Sequence, residues 1–154
     1  MRKRPAALVP AAAAAMVLTS APSAQALEFF TPLRLVYSKG YVNAEVRSEG
    51  RVIRFNGGTN ENDVRGFCSR VRFTALNDRL EPIVDRHPDA VLVTTTSWHC
   101  VKGGKPFAAG LSTPSVPGGA TVVRVDVETK PTATSPDPGV ATASQLCVRG
   151  SICR

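Results

Sequence analysis

The chain has 154 residues, 43% hydrophobic and 20% charged, with a formal net charge of +7 and four cysteines. That length suits one domain with a sizeable core. The absence of any later run of about 18 apolar residues excludes a membrane-spanning helix, and so mild a basic balance is no nucleic-acid signature.

The N-terminus opens with Arg2-Lys3-Arg4, continues as an apolar run from Ala6 to Leu18 broken only by Pro10, and reaches small residues ending in Ala24-Gln25-Ala26. A positive head, a short apolar stretch and an A-x-A site make a Sec-type secretory signal peptide, so cleavage is expected after Ala26 and the protein is expected to be secreted. Loss of Arg2, Lys3 and Arg4 lowers the net charge from +7 to +4. The alanine- and arginine-rich usage points to a GC-rich bacterial source.

Residues 27–129 read as the folded domain. Leu33–Tyr37 is the first strand. In the second, Val42, Ala44 and Val46 alternate with Tyr41, Asn43, Glu45 and Arg47, the period of a strand with one wet face. Ser48-Glu49-Gly50 ends in a residue that accepts left-handed backbone, which suits a hairpin into Arg51–Phe55. Asn56–Asp63 reads as a long glycine loop; its oxygen-rich side chains do not follow the order of a helix–loop–helix calcium site. Phe67–Leu76 is the next strand. Asn77–Arg86 carries Leu80, Ile83 and Val84 at helical spacing, but Pro82 limits it to one turn or a loop.

Ala90–Val101 and Lys105–Leu111 follow as strands, then the Pro- and Gly-rich loop Leu111–Gly119. In Thr121–Glu128, Val123, Val125 and Val127 alternate with Arg124, Asp126 and Glu128, the clearest strand of all. Residues 130–141 hold three prolines between Lys130 and Gly139 and read as a solvated linker. Residues 142–154 form a C-terminal tail whose Ala141–Val148 segment can dock as an edge strand.

Four cysteines in an exported chain read as two disulfides. Cys68–Cys100 is expected to tie two strands inside the domain and Cys147–Cys153 to close a ring in the tail. Seven or eight short strands with a core-spanning bridge make an all-β, antiparallel β-sandwich. Trp98 shares its strand side with Cys100, so its indole is expected beside the bridge. The architecture is immunoglobulin-like, but an immunoglobulin domain places its Trp on a third strand between the cysteines. No family is assigned.

Three functional readings follow from the side chains. The leading one is a non-catalytic binding protein, without cofactor or metal, whose partner is another protein or an anionic polymer of a cell wall or surface. If Val46, Ile53 and Phe73 point inward, Arg47, Arg54, Arg70 and Arg72 point outward, and guanidinium forks match carboxylates, phosphates and sulfates. The second is an inhibitor of a secreted trypsin-like protease that presents Arg149 on the rigid Cys147–Cys153 ring. The third is a small hydrolase using His87 with Asp85 and Asp89, or a metal set that adds His99. No G-x-S-x-G sequence marks a serine nucleophile.

Overall fold

The computed structural model describes residues 31–85 and 90–154. The expected signal peptide lies outside these residues, as do His87 and Asp89. Alternating sequence becomes strand throughout: β1 (Thr31–Tyr37), β2 (Gly40–Glu49), β3 (Val52–Asn62), β4 (Cys68–Leu76), β5 (Val84–Asp85), β6 (Ala90–Val91), β7 (Val93–Thr95), β8 (Gly103–Ser112), β9 (Val122–Lys130) and β10 (Val140–Val148). Sheet A has the order β1-β2-β3-β8 and sheet B the order β10-β9-β4-β7, with β5 and β6 as a small separate pair. All pairings are antiparallel. The protein is an all-β sandwich, with no helix among the described residues.

The two inner faces meet in one core. Leu33, Val42, Val46, Ile53 and Phe55 from sheet A face Val71, Phe73, Val123, Val125 and Val127 from sheet B. Phe55 and Phe73 stack across the interface with ring centroids 3.9 Å apart. Such pairs favour offset stacking because each ring has a negative face and a positive edge.

Asn56–Asp63 is not a loop. β3 continues to Asn62, and one extra residue is absorbed where its register slips between Phe55 and Gly58 opposite β8. Gly57 takes φ +57° there, a left-handed conformation in which glycine has no Cβ to clash. An extra residue exchanges the two faces of everything beyond it. Asn60 and Asn62 therefore point inward, 2% and 0% exposed. They are satisfied by a buried polar cluster. The Tyr37 hydroxyl donates to Asn62 Oδ1 at 2.7 Å, the Ser69 hydroxyl donates to the same oxygen at 2.7 Å, and Asn62 Nδ2 donates to His99 O at 2.9 Å. The cluster ties sheet A to sheet B at the end of the sandwich where β3 finishes.

Both disulfides form as expected, Cys68–Cys100 and Cys147–Cys153, which assigns the protein to an oxidising, extracellular-type environment. No described helix is long and apolar enough to cross a membrane. The first bridge does not span the core. Ser69 turns inward, so Cys68 lies on the opposite side of β4, the outer face of sheet B. His99 pairs with Ser69 through both backbone bonds, which sets Cys100 beside Cys68. Trp98 keeps the predicted side of its strand, and that side is the outer one.

The C-terminal segment docks as the edge strand of sheet B, with β10 paired along β9. Residues 131–139 are mostly exposed and are anchored by hydrogen bonds to their carbonyls. Lys130 Nζ donates to Ala133 O at 3.0 Å and Ser135 O at 3.3 Å, and Arg70 Nη2 donates to Pro138 O at 3.2 Å.

Candidate functional site

The four arginines expected on one face are divided between two. Arg47 and Arg54 face each other across β2 and β3 on the outside of sheet A. Arg47 pairs with Glu45 at 3.3 Å and Arg54 with Glu49 at 2.7 Å, all four side chains about half exposed or more. Arg34, Arg47 and Arg54 share this face with Glu45, Glu49 and Glu61, so it carries no excess charge. Exposed pairs of this kind contribute little to stability.

Arg70 and Arg72 lie on the outside of sheet B, where the electrostatics differ. The register of β4 on β9 puts Arg70 opposite Glu128, Arg72 opposite Asp126, and Thr74 opposite Arg124, with Lys130 opposite Cys68. This face therefore carries four cations against two carboxylates. Glu128, its side chain only 8% exposed, accepts from Arg70 Nε at 2.6 Å and Arg72 Nη1 at 3.3 Å. Asp126, similarly buried, accepts from Arg124 Nε at 3.0 Å and from the Ser144 hydroxyl at 2.5 Å. The acids sit beneath and the guanidinium groups above, with Arg72 and Arg124 38% and 40% exposed.

The donors divide in the same way. Arg124 commits only Nε to Asp126, and Arg72 only Nη1 to Glu128. Arg72 Nε is buried without a partner, so that fork offers only its second amino group, whereas both terminal amino groups of Arg124 form no hydrogen bond among the described residues. As diagonal neighbours on adjacent antiparallel strands, their Cα atoms stand roughly 7–8 Å apart. Buried carboxylates fix the forks before any ligand arrives, which lowers the ordering cost of binding.

Trp98 closes one end of this face. Arg70 Cζ lies 4.5 Å and Lys130 Nζ 4.6 Å from its ring centroid, both cation–π contacts. Gly139 packs so closely on the indole that a Cβ there would stand 2.6 Å from it. The sequence suggested an indole in the core; the inward turn of His99 instead places Trp98 outside, against cationic side chains. His99 is itself 4% exposed and donates from Nε2 to Gly103 O at 2.6 Å. A carbonyl can only accept, so this contact fixes the proton on Nε2.

Arg149 is not held out on its ring. Its backbone N–H donates to Thr121 O at 2.8 Å. Its guanidinium turns back to donate to Gly118 O at 2.7 Å, Ser48 Oγ at 3.0 Å and Gly50 O at 3.4 Å. The side chain thus joins the β2–β3 turn of sheet A to the loop before β9. Asp85 lies on β5, while His87 and Asp89 fall outside the described residues, so no geometry connects them with His99. Among the described residues no three His, Cys, Asp or Glu side chains converge as metal ligands.

Sequence reasoning named Arg70 and Arg72 but missed Arg124, Glu128, Asp126 and Trp98 as their companions. The signal that could have found them was the alternation of β9 itself, in which Arg124, Asp126 and Glu128 occupy one wet face. Comparison with known protein families, curated proteins and solved structures gives no match.

Proposed function

We propose that this is a secreted, non-catalytic binding protein that holds anionic polymers against the outer face of sheet B. The observation that carries the reading is the layering of charge: Glu128 and Asp126 are buried while the guanidinium groups of Arg72 and Arg124 stand partly exposed above them. A chain of phosphates, sulfates or carboxylates along a cell wall or surface would meet two preset cations side by side, the Arg124 fork taking one group through both terminal amino groups and Arg72 adding a single donor, since its Nε is buried. Export fits this reading through the A-x-A site at Ala24–Ala26 and the two disulfides.

Chromatography on an immobilised sulfated polysaccharide, with an uncharged polysaccharide as control, tests the reading. Retention on the sulfated resin at low salt is expected, and elution as ionic strength rises, since screening weakens exposed charge contacts. Arg72→Ala with Arg124→Ala is expected to bring elution well forward. Arg47→Ala with Arg54→Ala, on the balanced face, should leave it nearly unchanged. Equal losses from the two pairs, or flow-through of the unaltered protein at low salt, would remove sheet B as the binding face.

A further inference from the structure

The turn between β4 and β5 needs one left-handed residue to close, and it holds that position with a leucine where glycine would serve without strain. Leu80 has φ +63° and is the only non-glycine residue with positive φ among the described residues. It is also 51% exposed. An L residue reaches this conformation only against steric resistance, where glycine would meet none. The turn around it is firmly built: Asn77 Oδ1 accepts from Arg79 N at 2.9 Å and Glu81 N at 3.0 Å, Leu80 N donates to Asn77 O at 2.9 Å, and Asn77 N donates to Glu81 O at 2.9 Å. A strained backbone thus displays an apolar side chain to solvent, and strain kept at such a place points to function.

Beside this turn lies a cleft of about 190 Å³, formed by the turn itself and the loop before β9. Its walls include Leu76, Ile83, Val116 and Pro117, with Asp78 on its border. The Asp78 carboxylate accepts from the Thr121 hydroxyl at 2.8 Å. Arg79, the next residue, forms no ion pair among the described residues. One short segment therefore offers an apolar knob, an apolar recess, a base in Arg79 and two acids, Asp78 and Glu81, the second held by Asn77 Nδ2 at 3.1 Å.

A patch that carries both halves of a contact is self-complementary, which is what a two-fold dimer requires. We infer that two copies of this chain associate through this end of the sandwich. Leu80 of each enters the cleft of the other, and Arg79 of each faces the other's Asp78. Leu76 of the cleft is the diagonal neighbour of Arg124 on β4 and β9, so the variants that test association leave Arg72 and Arg124 unaltered.

Sedimentation equilibrium of the oxidised protein over a wide concentration range tests this. A reversible monomer–dimer equilibrium is expected. Leu80→Gly should weaken it by about tenfold or more without lowering the thermal midpoint measured at concentrations where the protein is monomeric, because glycine relieves the strain. Asp78→Arg and Arg79→Asp should each weaken it, and the double exchange should recover it, since the charges then meet in reverse. A protein that stays monomeric throughout, including one that captures a different partner, overturns the inference. So does a dimer indifferent to Leu80→Gly, or a double exchange no better than its single variants.

Discussion

Tyr37 shows how one side chain makes stability depend on pH. Its hydroxyl is buried against Asn62 Oδ1 and the Glu61 carbonyl, 2.7 and 2.9 Å away. Burial raises its pKa above the ordinary 10.0; Ser69 opposes the rise, and the nearby Asp63 and Glu61 charges add to it. The unfolded chain releases this proton near pH 10 while the folded one retains it, so over that interval the folded state binds more protons. Stability is then complete below about pH 10 and falls as pH rises from there toward the folded pKa. Urea unfolding at pH 8 and at pH 11 should show this loss in the unaltered protein and a smaller one in Tyr37→Phe. The same substitution should cost about 1 kcal/mol at neutral pH, because it takes a donor from Asn62. An identical alkaline loss in both proteins would put its origin elsewhere.

At the scale of elements, the alternation of β1, β2, β4 and β9 was legible because a period of two needs only neighbouring residues. The bulge in β3 was not. Asn, Gly and Thr in Asn56–Asp63 have turn chemistry, and only pairing with β2 and β8 on both sides makes that stretch a strand. The separation of Arg47 and Arg54 from Arg70 and Arg72 was hidden for a similar reason: each faces outward as expected, but sheet membership follows from the crossover between β3 and β4. The inward turn of Arg149 depends on Ser48 and Gly50, about a hundred residues away in sequence.

The same bulge yields a graded prediction. A Cβ on Gly58 would stand 2.5 Å from the Phe107 ring, so Gly58→Ala is expected to cost about 1–3 kcal/mol by overpacking. Gly110, on β8, has open space around it and no positive φ, so Gly110→Ala should be neutral or stabilise by about 0.4–1 kcal/mol. Adding Phe107→Leu to Gly58→Ala should make the pair less destabilising than the sum of its parts. Chemical denaturation of the four variants measures this, and simple additivity would mean the ring is not what the methyl meets.

For the whole molecule, the two disulfides act on one sheet from opposite ends. Cys68 pairs in register with Lys130 and Cys147 with Val123, so the bridges are separated by roughly 23 Å of strand at about 3.3 Å per residue. Sheet A has none; it is held by the shared core, the Tyr37–Asn62–Ser69 cluster and Arg149. Closing the 32-residue separation of Cys68–Cys100 stabilises by roughly 3–4 kcal/mol on the loop-entropy model, and the 6-residue separation of Cys147–Cys153 by about 2 kcal/mol. Sites this far apart should add, to about 6 kcal/mol, a large part of the 5–15 kcal/mol typical of a domain. Replacing the Cys147–Cys153 pair by serines should lower the urea midpoint moderately, and replacing the Cys68–Cys100 pair should lower it more. Removing both should leave a chain largely unfolded at 37 °C even without denaturant. A cooperative transition of near-original midpoint in the four-serine protein would show instead that the stacked core of Phe55 and Phe73, with the polar cluster beside it, holds the two sheets together unaided.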